Sequence, residues 1–358
     1  MLKPSLTGGE DMGLNDRKKK ILAAIVEQYI ATGEPIGSKA LCKTLDMSVS
    51  SATVRNDMSE LSELGYLDQP HTSAGRVPTQ MGYRYYLDHL MPKHELDDDV
   101  RRHIDVSVDH RIGDPEQLLE RAGEILVDFT NCASLSTTLA DENAVIRKVE
   151  IVQISPKTAM IVLLSSTGIL KSKVCRTDVE ITPDLIETFY SVVNQNFLNK
   201  PLADIGTVMI QTVVASLGKK ALAMSPLLVS LYDLSISASQ SEIILGGQAN
   251  LLNYREFEQN AGALLEFLHK AEPLNQIISS VKNDFDVLIG HENRYKELEN
   301  SSMIISRYMI GDRDGGSIGI IGPIRMNYSK LIPSIKYLTD IVGRLLSEVY
   351  EEDMPNGK

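Results

Sequence analysis

The chain has 358 residues, 43% of them hydrophobic and 23% charged, with a formal net charge of −12. That length accommodates two or three domains, and the composition supports a full apolar core. The acidic balance argues against indiscriminate polyanion binding, but not against a local basic face, because a phosphate contact acts within a Debye length of about 10 Å.

Residues 1 to 93 hold 11 Lys and Arg against 11 Asp and Glu, so residues 94 to 358 supply the whole excess of negative charge. No stretch reads as the roughly 18 apolar residues that a bilayer span needs. Residues 1–13 lack an apolar h-region and are expected to be a flexible leader, with Met12 as an alternative start. Cys42, Cys132 and Cys175 are far apart and form no C-x-x-C. They read as reduced thiols of a cytoplasmic protein, with Cys42 a small buried hydrophobe.

The first helix is expected to begin at an Asn15 or Asp16 cap. Ile21, Leu22, Ile25, Val26, Tyr29 and Ile30 recur at helical spacing, and Thr32-Gly33 with Pro35 stops the run. A second helix starts at Ser38, with Ala40, Leu41 and Leu45 as its buried side. After a turn at "DMS", Ser50 caps a third helix that runs from Ser51 to about Leu64 and closes on Gly65.

At 100° per residue, Val54, Met58 and Leu61 of this third helix form one stripe. Ser51, Ala52, Arg55 and Asn56 face outward. Small residues let a backbone approach the major groove, Arg can fork onto a guanine edge and Asn onto an adenine edge. Two short strands, Tyr66 to Gln69 and Arg76 to Pro78, then flank the polar tip "PHTSAG". Helix, turn, helix and hairpin is the order of a winged helix-turn-helix, in which Arg76, Thr72 and Ser73 would reach phosphate or the minor groove. The same elements also suit a small three-helix domain used for protein contacts.

The segments "GEPIGSKAL", "SSATVRNDMSELSELGYL", "QPHTSAGRVPTQMGYRYYLD", "GGQANLL" and "GSIGIIGPIRMNY" resemble the HrcA family of heat-inducible transcription repressors, and the resemblance runs from about Leu14 to Tyr350. It implies an α+β multidomain chain: a winged helix-turn-helix at 14–93, a GAF-like domain at 94–181 and 281–350, and an inserted dimerisation domain at 182–280. It implies double-stranded DNA with an inverted-repeat operator as ligand, a homodimer, and chaperonin as modulator. The DNA-binding set is Ser38, Lys39, Ser51, Thr53, Arg55, Asn56, His71, Thr72, Ser73 and Arg76.

Beyond residue 80, Tyr83, Tyr86, Leu87 and Leu90 form a helical stripe that reads as core, and Asp97 to Asp99 read as solvated linker charge. His89, His94, His103 and His110 match no metal-ligand spacing. The runs "SLSTTLA", "KVEIVQIS", "TAMIVLLSS" and "ILKSKVCR" read as strands. Helix is expected from Thr182 to about Leu234, where Phe189, Tyr190, Val193 and Phe197 form an apolar cluster. This cluster is either a dimer interface or ordinary helix core. "EIILGGQANLL" reads as strand, "EFEQNAGALLEFLHKAEPLNQII" as helix, and the remainder as strands with a closing helix.

"GDRDGGSIGIIG" lacks G-x-G-x-x-G and a following Lys-Ser/Thr, so it reads as a hairpin turn and not a phosphate loop. Asp312 and Asp314 read as solvated turn residues. No nucleophile is tied to His291 or Glu292, so no enzyme, cofactor or metal is expected. A dimeric repressor is the first reading. A regulator whose GAF-like domain senses a small molecule is the second, and an enzyme fused to a DNA-binding module is the third.

Overall fold

The computed structural model describes residues 14–45, 50–72, 74–108, 114–138, 144–281 and 283–352. The N-terminal unit opens with α1 (Asp16–Thr32), capped by the Asn15 side chain and closed by Gly33 at φ 68°. Helix α2 (Ser38–Thr44) buries Leu41, whereas Ala40, expected inside, is exposed because the helix is only seven residues long and presents one short apolar edge. The expected turn at 46–48 lies outside the described residues.

Helix α3 (Ser51–Glu63) is capped by Ser50 and ends at Gly65, whose φ of +84° turns the chain into the hairpin. Strands β1 (Leu67–Asp68) and β2 (Val77–Pro78) are antiparallel. A further strand-like segment, invisible in the periodicity, joins them: Ile36 bridges Arg76 through two backbone hydrogen bonds of 2.9 Å.

Helix α4 (Gln80–Tyr85) follows with no intervening loop and continues as a π turn through Leu90. Tyr83 and Tyr86 are buried, as their spacing predicted. Helix α5 (Asp98–Ser107) is capped by Asp97, so one of the expected linker charges serves as a helix start. Helix α6 (Pro115–Thr130) leads into β3 (Ala133–Thr138).

The next three strands, β4 (Ile146–Ser155), β5 (Thr158–Ser165) and β6 (Leu170–Arg176), form a separate antiparallel sheet in the order β4-β5-β6. Helices α7 (Pro183–Asn196), α8 (Thr207–Ser216) and α9 (Ala221–Ser239) pack with this sheet around a core of their own. The run Gly218–Ser239 corrects the expectation of no membrane-length segment: 22 residues at mean hydropathy 1.4 are long and apolar enough to cross a bilayer. Here it is the central helix of that core, with Met224, Leu227, Leu228, Leu231 and Leu234 buried against its neighbours.

The chain then returns to the first sheet with β7 (Ile243–Gly246), α10 (Ala261–Leu268), α11 (Ala271–Ser280), β8 (Phe285–Ile289), β9 (Ser301–Ile310) and β10 (Arg313–Pro323). Five strands lie in the order β7-β3-β10-β9-β8, and α12 (Tyr328–Glu352) closes the described chain. The β9–β10 connection is the hairpin expected at "GDRDGG", turning at Gly311 (φ +58°).

The expected boundaries at 182 and 280 are therefore displaced. The inserted unit runs from about 144 to 240, because β4–β6 pair as strands in a sheet of their own and share a core with α7–α9. Residues 241–280 belong to the five-stranded unit, because β7 pairs with β3 and because Leu264, Leu274 and Ile277 pack with Leu135 and Met303. A third core joins α1, α3 and α4 to α6 and α12.

Candidate nucleic-acid interface

Val54, Met58 and Leu61 of α3 are buried, while Ser51, Ala52, Arg55 and Asn56 are exposed. The Arg55 and Asn56 side chains make no hydrogen bond or ion pair among the described residues. Among the described residues, five guanidinium N–H donors and a carboxamide thus have no partner. Thr53 is tied into the helix start instead: Ser50 Oγ accepts from its N–H at 3.2 Å and lies 3.0 Å from its hydroxyl. That makes Thr53 a capping residue before anything else.

Ser38 begins α2 half-exposed, with Lys39 exposed beside it. On the hairpin, His71 and Thr72 are exposed, and Ser73 lies outside the described residues. Gln69, which periodicity does not single out, holds the tip: its Nε2 donates to the carbonyls of Thr72 (3.0 Å) and Ala74 (3.1 Å).

Arg76 is half-buried, and its Nε is buried without a partner. Its position beside Ile36 depends on Gly75, where a Cβ would lie 2.4 Å from the Ile36 carbonyl. Gly75 is thus required for close backbone approach and not for positive φ.

Asp57 was also missed. Although it neighbours the exposed pair, it is 2% exposed and forks the Arg17 guanidinium of α1, accepting at 2.6 Å from Nε and 2.9 Å from Nη2. The hydrogen bonds and charge of Asp57 raise the Arg17 pKa. Lys18 pairs with Glu60 one turn further along α3. These pairs fix how α3 is rotated about its own axis. The signal was present: a carboxylate three residues after Val54 and four before Leu61 stands within the apolar stripe, where a charge needs a partner.

The apolar cluster read as a possible interface is core. Phe189, Val193 and Phe197 are 0–1% exposed, and the Tyr190 hydroxyl donates to Glu150 at 2.7 Å. Phe189, Val193 and Phe197 are spent inside the inserted unit, and Tyr190 is partly buried against the same core.

In the five-stranded unit, a cavity of about 140 Å³ is lined by Thr137, Asn275, Arg307, Asp314 and Ser317. Asp314, read as solvated, pairs with Arg307 at 3.1 Å. No group of three or more His, Cys, Asp or Glu able to hold a metal occurs among the described residues.

A small helical unit that presents exposed Arg and Asn donors, carried on a larger, acidic, mixed α/β body, is the build of a multidomain regulator. The family profile described as HrcA protein C terminal domain matches residues 116–332. The heat-inducible transcription repressor HrcA of Acetivibrio thermocellus is 32% identical over 96% of this chain and 99% of its own length. That of Halalkalibacterium halodurans is 32% identical over 95% and 99%. A crystal structure of a hypothetical protein shares the fold, with TM-score 0.66, 24% identity, and coverage of 94% of this chain and 99% of that one.

The chain belongs to the HrcA family of heat-inducible transcription repressors. Its activity is transcriptional repression of heat-shock genes, not catalysis.

Proposed function

We propose that residues 14–93 form a winged helix-turn-helix that reads an inverted-repeat operator, with α3 in the major groove and the β1–β2 hairpin as the wing. One observation carries this reading. Arg55 and Asn56 are exposed and have no side-chain partner among the described residues, while the opposite side of the same helix is buried and Asp57 is locked to Arg17. Arg55 and Asn56 supply base-edge contacts, and Ser51, with Ser38 and Lys39 of α2, supplies neighbouring contacts. His71, Thr72, Ser73 and Arg76 hold the backbone.

The five-stranded unit is read as GAF-like and the inserted unit as the dimerisation element. An inverted repeat needs two copies related by a two-fold axis. The outer face of the inserted sheet suits that role. Val152, Met160 and Val174 lie directly across from one another, and Val152, Ile154, Leu170 and Val174 are 47–60% exposed. The family resemblance extends the reading to chaperonin as modulator and to the cytoplasm as the place of action.

The ligand-sensor reading is weaker. The cavity is no larger than the engineered one of about 150 Å³ that accepts benzene, and its main charges already pair with each other. Footprinting the purified protein on its own chaperone-operon promoter tests the proposal. Protection of two symmetric half-sites is expected, and no protection at protein concentrations that saturate non-specific DNA refutes it.

A further inference from the structure

Between the N-terminal unit and the body lies a polar seam that the operator contacts do not use. Gln80, the first residue of α4, engages the body with both ends of its amide. Its Nε2 donates to the Glu299 carbonyl at 3.1 Å, and its Oε1 accepts from the His291 N–H at 3.1 Å. The amide sits over Gly290, which has φ +51° and where a Cβ would lie 2.1 Å from Gln80 Nε2.

One turn on, Arg84 forks Glu292, with Nε donating to Oε1 at 2.9 Å and Nη2 to Oε2. The same Nη2 donates to the Val287 carbonyl at 2.5 Å. Glu292 is itself pinned, accepting from the Ile289 N–H at 2.8 Å. Burial alone would depress the Arg84 pKa, but the hydrogen bonds and charge of Glu292 outweigh it, so the guanidinium stays charged.

The seam has no slack toward α3. The Thr79 hydroxyl donates to the Gly65 carbonyl at the end of α3 (2.6 Å) and accepts from the Gly82 N–H (3.1 Å). Gly82 is pressed so close to Tyr66 that a Cβ would stand 2.2 Å from its carbonyl oxygen. A rotation at the seam is therefore a rotation of α3. The neighbouring Tyr83–Tyr328 contact, with ring centroids 6.4 Å apart, adds adhesion. Apolar burial is non-directional, whereas forked hydrogen bonds set an angle.

We propose that Gln80, Arg84 and Glu292 are positioning residues for operator recognition: they set the angle at which α3 projects from the body and thereby the half-site spacing that two linked copies accept. This rests on the two-copy, inverted-repeat reading above. Shifting one half-site by a base pair moves it about 3.4 Å and turns it by roughly 34° about the DNA axis, so spacing reports angle directly.

The test measures binding of the full chain to the footprinted operator duplex, to versions with the half-site spacing changed by one or two base pairs, and to a single half-site. Wild type should show a sharp spacing optimum. Gln80→Ala and Glu292→Gln should leave half-site affinity unchanged and weaken the native-spaced operator about tenfold, part of the 10²–10⁴ avidity that linked sites gain. The spacing profile should flatten. A merely structural role would lower half-site and operator affinity together, and that outcome overturns the proposal. So does an unaltered spacing optimum in both variants. If wild type itself ignores spacing, the two-copy reading fails and takes this proposal with it; a spaced wild type with unaltered variants refutes the seam alone.

Discussion

Gly75 offers a direct test of how the hairpin is held. A Cβ there would lie 2.4 Å from both the carbonyl carbon and oxygen of Ile36 and 2.8 Å from its nitrogen. Ordinary contact begins at 3.4 Å, so Gly75→Ala demands about 1 Å of separation from backbone that cannot rotate aside. The segment before α2 meets the hairpin through reciprocal hydrogen bonds between Ile36 and Arg76, each 2.9 Å.

Losing both, at about 1 kcal/mol each, costs roughly 2 kcal/mol. At about 2.1 cal/mol/K of unfolding entropy per residue, Tm of the 358-residue chain should fall by roughly 3 °C, read by calorimetry. Gly75→Asn separates the two explanations for a glycine here. Asn tolerates left-handed backbone, so a positive-φ requirement would spare it, whereas close approach penalises it as heavily as Ala. An Asn variant that melts with wild type while Ala does not refutes the close-approach argument. So does an Ala variant within about 1 °C of wild type.

Three further outcomes are expected. Arg55→Ala should keep the fold, weaken specific operator binding by about 1–3 kcal/mol and relax one operator position, with Asn56→Ala acting alike; selection from a randomised operator library checks both. Arg76→Ala should weaken specific and non-specific DNA equally and lower the slope of log affinity against log salt by about one, measured by salt titration; an unchanged slope with lost sequence preference would make Arg76 a base reader. Phe197→Ala should destabilise by about 3–5 kcal/mol, because the ring is fully buried, so denaturant unfolding should shift. Sedimentation below the unfolding transition should show unchanged association, and weakened association without lost stability would restore the cluster as an interface.

Local pattern was legible wherever one residue's neighbours along the chain decide its fate. The α1 cap at Asn15, the Gly33 and Gly65 terminators and the buried stripe of α3 all follow from spacing. Partnerships across the chain were not legible. Strands β4–β6 look the same in sequence whether they extend the large sheet or form their own, and only the pairing of β3 with β7 and β10 settles it. Phe189 and Phe197 advertise an apolar helix face but not what covers it. At the candidate interface the exposed donors were readable and the charge of Asp57 within the apolar stripe signalled a partner without naming it, whereas Gln80 and Glu292 act through partners 219 and 208 residues away.

The seam also has a consequence in time. Arg84 precedes Glu292 by 208 residues, and Gln80 precedes Glu299 by 219. At 5–20 residues per second, a ribosome makes the N-terminal unit roughly 10 to 40 s before its docking partners exist. Tyr328, which Tyr83 packs against, arrives later still. During that interval the buried ring of Tyr83 and the Arg84 guanidinium lack their counterparts, and the contacts that orient the newborn unit on the body are not yet made. If the seam sets the angle of α3 as proposed, capacity to bind an operator should lag behind synthesis, and the waiting chain, its docking surface uncovered, should be the form most prone to aggregate. Conditions that slow or divert folding thus act first on the newest molecules.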